Sequence, residues 1–335
     1  MRTIAVLNQK GGVGKTTTVV NMAAALAAAG RRVIVIDLDP QAHLTIHLGV
    51  EPQAVQAGTY EVLTGSADFM QSLMLVRPGL WLLAANINLV GAETELVNVV
   101  GREIILREAM QACHDQFDFC LIDCPPSLSV LSLNALAAAQ EVLIPLQPHF
   151  LALQGFGKLL QTVDLVNKRI NRNLRVTGVL LCMNDTRASL SNEVRADIEQ
   201  VLTSARGTNS AWSEARILPT FIRRNIKLAE APSYGKTIFE YDPECNGARD
   251  YAKVANFFLG IEEEPEKARS ADQAPPSVSP EPTPPAAPPI EIHEVNLPVP
   301  QRCAPVPIGP EAPASTAQPG PAEPQGDVPV SSPQP

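Results

Sequence analysis

The chain has 335 residues, 45% of them hydrophobic, and a formal net charge of −9. A chain of this length is long enough to bury a hydrophobic core, and it can form one large domain or two domains of ordinary size. The first residues, MRTIAVLN, do not have the pattern of a secretory signal, and no apolar run is long enough to span a bilayer, so we expect a cytoplasmic protein. The six cysteines form no C-x-x-C pair, which favours reduced thiols in the core.

The negative charge is concentrated in the last part of the chain. Residues 261–335 contain eleven acidic and three basic residues, 21 of the 31 prolines, and no Phe, Trp or Tyr. The rest of the chain is nearly neutral, with 24 acidic and 23 basic residues. A segment of this composition buries too little apolar surface to offset the entropy lost on ordering it. We therefore expect a folded domain over residues 1–260 and a disordered, acidic, proline-rich tail over residues 261–335.

Apolar runs and helix-length segments alternate through the folded domain. Strands are predicted at residues 3–8, 32–39, 80–84, 119–123, 141–145 and 176–183, and helices at residues 16–29, 129–139, 157–171 and 191–203. Two of the strand sequences, VIVIDLD and VTGVLLCMN, are almost continuously apolar, as in strands that are covered on both faces. The pattern predicts an α/β fold with a doubly wound, mostly parallel sheet flanked by helices. Such sheets bind their ligands at the carboxyl ends of the strands.

The first predicted strand leads directly into NQKGGVGKTTT at residues 8–18 and then into a helix. This segment departs from the G-x-x-x-x-G-K-[ST] phosphate loop only in having Gln9 where the first glycine belongs. Its glycines let backbone amides surround an anion, and the helix N-terminus adds its dipole. Lys15 is placed to reach the β- and γ-phosphates, and Thr16 to ligate Mg²⁺. The predicted nucleotide contacts in this loop are Lys10, Gly11, Gly12, Val13, Gly14, Lys15, Thr16 and Thr17.

Two later strands end in carboxylates. In VIDLDPQ, Asp37 and Asp39 are two residues apart and are expected on the same side, with Asp39 reaching into the crevice. A carboxylate there orients water or holds the metal shell. FDFCLIDCPP ends a strand in Asp123, which has the form of a Walker B carboxylate that completes a Mg²⁺ shell. The predicted metal-associated residues are Thr16, Asp39 and Asp123, and the predicted ligands are ATP and Mg²⁺.

Four segments, KGGVGKTT, DLDPQ, DCPPSL and RRNIKLAEAPSYGKTIFEYDP, resemble the ParA/MinD group of deviant Walker A ATPases, and above all its chromosome- and plasmid-partitioning ParA (Soj-like) members. The likeness covers nearly all of residues 1–260. In this family the early lysine, here Lys10, reaches across a face-to-face dimer to the phosphates held by the other subunit. The resemblance therefore implies a P-loop ATPase that forms a homodimer around ATP, with Lys10, Lys15 and Asp39 as its catalytic residues.

The resemblance implies further roles by position. Asn184 is similar to the asparagine that meets adenine in MinD-like members, and Pro219 falls in the loop on the adenine side. ParA-like dimers bind DNA without sequence preference, and Arg224 and Lys227 match positions that contribute to this binding, with Arg195 as a looser match. A ParB-like partner accelerates hydrolysis and releases the DNA. The expected location is therefore the nucleoid, within the cytoplasm.

The chain departs from many relatives in having Arg223-Arg224 in place of a Pro-Arg pair, and His149 and Gln154 where acidic residues are common. These changes concern partner recognition more than the core chemistry. The alternative is a MinD-like positioning ATPase that acts on a membrane or on another cargo. MinD-type proteins end in a basic amphipathic helix, whereas here the domain ends in FFLGIEEEPEKARS, an acidic sequence that anionic lipid repels. We therefore expect DNA partitioning and no stable membrane association, while the cargo stays open.

Overall fold

The computed structural model describes residues 1–149, 152–184 and 189–261. Within these ranges the strands are β1 (Arg2–Val6), β2 (Val33–Asp37), β3 (Met74–Arg77), β4 (Leu80–Leu83), β5 (Phe119–Asp123), β6 (Glu141–Leu146), β7 (Arg175–Asn184), β8 (Arg216–Ile217) and β9 (Ile222–Arg223). The α-helices of the same ranges are α1 (Lys15–Ala28), α2 (His43–His47), α3 (Thr59–Leu63), α4 (Leu89–Glu95), α5 (Ile105–Ala109), α6 (Val130–Ala138), α7 (Ala152–Arg169), α8 (Ser189–Ser204), α9 (Lys227–Glu230), α10 (Ile238–Tyr241) and α11 (Asn246–Leu259).

The strands form one sheet in the order β3-β4-β2-β5-β1-β6-β7-β8, and β9 also pairs with β7. Every recorded strand pair is parallel except β3 with β4. The mostly parallel, doubly wound α/β fold is therefore confirmed. From β1 the chain crosses first to β2 on one side of the sheet and later to β6 on the other. This reversal opens a crevice at the carboxyl end of β1, where sheets of this type bind ligands.

Helices cover both faces of the sheet, and β5 shows how the two layers form. Its side chains alternate, so that Leu121 joins the core under α1 and α11, whereas Ile122 joins the core under α6 and α7. Both side chains are fully buried. Truncation of such a leucine to alanine costs about 2–5 kcal/mol of folding free energy. The continuously apolar strand sequences are thus explained by burial on both sides.

The structure differs from the predicted elements in several places, and α2 to α5 and α9 to α11 were not among the predicted helices. The antiparallel edge strand β3 was not predicted, since its first two residues, Met74 and Leu75, are exposed and lack a buried stripe. Helix α7 begins at Ala152 instead of residue 157. At the end of the described domain, α11 stops at Gly260, whose φ of 70° is the left-handed conformation that often follows a helix. The predicted domain boundary here stays a prediction, because the tail beyond residue 261 lies outside the described residues.

None of the helices in the described ranges combines the length and apolarity that crossing a membrane requires.

Candidate nucleotide-binding site

The loop between β1 and α1 is built to receive an anion. Gly12 and Gly14 have φ angles of 72° and 93°, left-handed conformations that favour glycine. Gly14 is also the N-cap residue of α1, and no side chain caps this helix end. The first-turn N–H groups are therefore available to a ligand, and the helix dipole favours a negative one. This geometry suits the phosphates of a nucleotide, the ligand that the sequence predicted for the loop.

The loop opens onto a cavity of about 870 Å³ at the carboxyl ends of the strands. Such a volume lies within the range of small-molecule sites. Of the predicted nucleotide contacts, Gly11, Gly12, Gly14, Lys15, Thr16 and Thr17 line it. Other described residues along its wall include Asp39, Pro40, Pro125, Met183, Ile222, Arg223 and Tyr251. The structure thus brings the loop and the predicted catalytic aspartate to a single cavity.

Thr16 and Asp123 form the most direct contact within this site. Thr16 Oγ1 donates a hydrogen bond of 2.6 Å to Asp123 Oδ2. Asp123 is only 1% exposed, and its Oδ1 has no hydrogen-bond partner among the described residues. Burial and the neighbouring Asp37 carboxylate raise the pKa of Asp123 well above its ordinary value, against the bond from Thr16 and the charge of Lys15. A buried hydroxyl–carboxylate pair with one unpartnered oxygen suits an oxygen-seeking cation such as Mg²⁺.

Asp37 and Asp39 take different positions. Asp37 is fully buried and accepts hydrogen bonds from Asp39 N at 3.1 Å, Thr45 N at 2.9 Å and Thr45 Oγ1 at 2.8 Å. Burial raises the pKa of Asp37 to about 7. Asp39 is half-buried on the cavity wall, and its Oδ1 accepts a 3.0 Å bond from Gln41 N. The expectation that both carboxylates share one side stays a prediction, and β2 ends at Asp37, so Asp39 lies beyond the strand.

The two lysines of the loop border different cavities. Lys15 is 8% exposed, lines the cavity, and its Nζ lies 3.4 Å from the carbonyl oxygen of Lys10. Lys10 is exposed and is not among the described residues that line this cavity. Its N–H donates to Asn8 Oδ1 at 3.0 Å, and its Nζ contacts His149 Nε2. With Asn8, Val13 and His149 it borders a separate cavity of about 220 Å³. Sequence reasoning singled out His149 but not this contact across 139 residues.

The two residues predicted near adenine are not among the described residues of the cavity wall. Asn184 ends β7 and is 9% exposed, and Pro219 is exposed between β8 and β9. Met183 lines the cavity instead, with a φ of 51° at a register shift between β7 and β9. Arg223 on β9 also lines it. Sequence reasoning missed Met183, since no local pattern signals a left-handed methionine, and it noted Arg223 only as a departure.

The three predicted DNA contacts lie outside the described wall of the large cavity. Arg224 and Lys227 border the same turn, which leads from β9 to α9, whereas Arg195 lies on α8. Arg195 Nε pairs with Glu199 at 3.1 Å, and Lys227 Nζ pairs with Glu230 at 3.1 Å. Arg224 is exposed and makes no ion pair with the residues that the structure describes.

Comparison with known proteins identifies relatives along most of the chain. A family model described as an AAA domain matches residues 1–176. The sporulation initiation inhibitor protein Soj of Bacillus subtilis is 43% identical over 253 residues, which are 75% of this chain and 96% of Soj. The chromosome partitioning protein ParA of Caulobacter vibrioides is 39% identical over 265 residues, which are 78% of this chain and 95% of ParA.

A solved structure extends the likeness to the fold. Cobyrinic acid a,c-diamide synthase from Mycobacterium smegmatis, solved with a bound ATP analog and magnesium, has a TM-score of 0.66 and 37% sequence identity. The match covers 77% of this chain and 94% of that one. A mostly parallel sheet with a glycine loop at the end of β1 defines a P-loop nucleoside triphosphatase. The chain belongs to the ParA/Soj family of ATPases, whose members it matches over almost their full length. The family predicted from four sequence motifs is confirmed.

Proposed function

We propose that this protein is an ATP-dependent DNA-partitioning ATPase. It forms a homodimer around Mg-ATP, binds DNA without sequence preference as that dimer, and leaves the DNA after partner-stimulated hydrolysis. The observation that carries the proposal is the divergence of the two loop lysines. Lys15 lines the cavity of its own subunit, whereas Lys10 is not among the described residues that line it. A cation displaced from its own site in this way fits a role in the site of a second subunit.

The residues of the site fit ATP and Mg²⁺. The uncapped end of α1 and the left-handed Gly12 and Gly14 suit phosphate groups. Thr16 and Asp123 would hold the metal, since the buried Asp123 Oδ1 has no described partner. When bound there, Mg²⁺ neutralises charge on the triphosphate and favours attack on its terminal phosphate. The ATP analog and magnesium in the cobyrinic acid a,c-diamide synthase structure support this assignment.

Lys15, Asp39 and Asp37 have different roles toward the nucleotide. Lys15 binds the β- and γ-phosphates, and its burial limits the screening of its charge by water. Asp39, on the cavity wall, orients the attacking water. Asp37 fixes the start of the turn that carries Asp39, because its carboxylate accepts the Asp39 N–H. Asp37 therefore positions the catalytic carboxylate without touching the nucleotide.

Lys10 links ATP to dimerisation. Its backbone N–H donates to Asn8 Oδ1, so the Lys10 backbone is held within the phosphate-binding loop. In the dimer Lys10 leaves His149 and contacts the phosphates of the other subunit. Its charge then stabilises the dimer only while a triphosphate is present, because a ligand shifts an equilibrium by its differential affinity for the two states.

DNA binding falls to the basic residues outside the cavity. Arg224 is exposed, so it can contact a DNA phosphate directly. Lys227 and Arg195 must first exchange Glu230 and Glu199 for phosphate, so we assign them smaller contributions. Binding of this kind follows from phosphate contact and carries no sequence information. It would place the protein on the nucleoid, in the cytoplasm.

The relatives support partitioning over the alternative. The chromosome-partitioning ATPase Soj of Treponema pallidum and the chromosome partitioning protein ParA of Caulobacter vibrioides are 43% and 39% identical to this chain. On this basis a ParB-like protein is the proposed activating partner, and no stable membrane association is proposed. The alternative, a MinD-like positioning ATPase that acts on a membrane or another cargo, uses the same nucleotide site. It differs in the surface that the ATP-bound dimer recognises.

A binding assay with two surfaces tests the proposed function. In the presence of Mg-ATP the protein should bind non-specific duplex DNA, and its affinity should fall steeply with salt because counterions are released. Arg224→Ala should weaken this binding and reduce the salt slope by about one. Arg172→Ala is the matched control, since Arg172 is exposed before the amino end of β7, whereas Arg224 follows the carboxyl end of β9, which pairs with β7 in parallel. Tight binding to anionic liposomes with none to DNA would favour the MinD-like alternative instead.

A further inference from the structure

Arg223 and Asp250 form an ion pair at the wall of the large cavity. Arg223 Nη2 lies 2.6 Å from Asp250 Oδ1, and Nε contacts Oδ1 at 3.2 Å and Oδ2 at 3.1 Å. The backbone N–H of Arg223 also donates to Asp250 Oδ2 at 2.9 Å. The Asp250 side chain is only 5% exposed, whereas that of Arg223 is 42% exposed. The Asp250 carboxylate on α11 thus holds both the backbone N–H of Arg223 on β9 and the edge of the Arg223 guanidinium group.

The position of β9 places Arg223 on the side of β1 away from Asp123. In the sheet, β6 and β7 follow β1, and β9 pairs with β7. Neighbouring strands are about 4.8 Å apart, so β9 lies roughly 14 Å from β1. The carboxylate Asp123 lies on β5, on the other side of β1. A nucleotide with its phosphates at α1 and its metal at Asp123 therefore directs its base toward β7 and β9.

The surroundings of Arg223 suit a base better than a phosphate. Ile222, Met183 and Tyr251 line the same cavity as Arg223 and offer apolar and aromatic surface. The buried Asp250 carboxylate offsets the charge of Arg223, which weakens its attraction for an anion. Asp250 contacts the guanidinium through its edge, and the planar faces of a guanidinium are the part that stacks on aromatic rings.

We propose that Arg223 is a base-contacting residue: its guanidinium plane, fixed by Asp250, stacks on the purine of the bound nucleotide. Arg223 and Asp250 would together provide the contact with adenine that the sequence predicted for Asn184 and Pro219. Asn184 is the Cα partner of Arg223 across the β7–β9 pair, so the two positions are neighbours, although of the two only Arg223 is among the described residues that line the cavity. The inference rests on the proposed function in one respect, that ATP is the ligand of this cavity.

The test compares ATP with inorganic tripolyphosphate, which has the phosphates of ATP but no base. Dissociation constants of both ligands are measured with Mg²⁺ for the wild type, Arg223→Ala and Arg223→Lys. The lysine variant keeps a cation beside Asp250 but has no plane, and both variants keep the backbone bond to Asp250. Arg172→Ala is the control, because it removes an exposed arginine before the amino end of β7, which is not among the described residues that line the cavity.

Loss of stacking on one base should weaken ATP binding roughly tenfold in both Arg223 variants. Tripolyphosphate binding should change by less than about twofold, which also shows that the loop is folded. An ATP effect that exceeds the tripolyphosphate effect by less than about threefold would overturn the inference while leaving the proposed function intact. Failure of the wild type to bind ATP would instead overturn the proposed function. The two failures are therefore distinguishable.

Discussion

Thr16 Oγ1 donates a 2.6 Å hydrogen bond to Asp123 Oδ2, although the two residues are 107 positions apart in the sequence. The bond joins the first residues of α1 to the last residue of β5. The other oxygen of Asp123 has no hydrogen-bond partner among the described residues, so the pair offers a buried acceptor that suits a cation.

The first prediction concerns this pair. Thr16→Ala should reduce ATP hydrolysis roughly 100-fold, because one oriented group at the reacting phosphate is lost. Thr16→Ser keeps the hydroxyl and should retain most of the activity. The rates are measured over a range of Mg²⁺ concentrations. Near-normal hydrolysis by Thr16→Ala at low Mg²⁺ would show that this hydroxyl is not part of the metal site.

Asp39→Ala should separate binding from hydrolysis. The carboxylate lines the cavity, so its removal takes away the group that orients water and leaves the phosphate contacts of Lys15 and the loop. Hydrolysis should fall at least about 100-fold, while ATP-dependent dimers accumulate and stay on DNA. Phosphate release and DNA co-sedimentation measure the two effects. Unchanged hydrolysis would assign water activation to another residue.

His47 provides a prediction about pH and stability. It is 2% exposed, and burial lowers its pKa from 6.5 to about 4. Its folded-state pKa lies below the unfolded-state value, so its contribution to stability is present above pH 6.5 and is lost as pH falls through about 4. The loss amounts to roughly 3 kcal/mol. His47→Gln should remove this loss and keep a donor for the Lys236 carbonyl.

Urea unfolding of His47→Gln and of the wild type at several pH values between 7.5 and 4 isolates this contribution. The quantity to compare is the difference in unfolding free energy between the two proteins at each pH. Asp37, whose pKa is raised to about 7, increases stability as the pH falls over the same range, and this effect is common to both proteins. A difference in unfolding free energy that is constant across the range would contradict the prediction.

Local patterns predicted the sheet and the loop well. The strand at residues 119–123 was predicted to the residue, because a strand buried on both faces has a continuous apolar sequence. The Thr16 and Asp123 positions followed from spacing relative to those elements. The ion pair of Arg223 with Asp250 did not, since it joins β9 to α11 through packing that no local pattern encodes. The contact of Lys10 with His149 was missed for the same reason.

The tail is expected to add nothing to the stability of the folded domain. A chain that ends after Ile261 keeps the cap of α11, in which Ile261 N donates to Asn256 O at 3.0 Å. Because residues 262–335 contain no aromatic side chains, the shortened protein should have an unchanged melting temperature and basal ATPase rate. Thermal unfolding by calorimetry measures this. A melting temperature several degrees lower, roughly the shift that 1–2 kcal/mol produces, would mean that the tail packs on the domain.

The central claim is that Lys10 acts in the site of a second subunit, and size measurement in solution with and without Mg-ATP tests it most directly. The wild type should change from monomer to dimer on addition of Mg-ATP, as should the control Lys158→Ala, which removes an exposed lysine of α7. Lys10→Ala should bind ATP within about threefold of the wild type, because Lys15 and the loop amides remain, and should stay monomeric. A Lys10→Ala variant that dimerises with ATP as the wild type does would contradict the account.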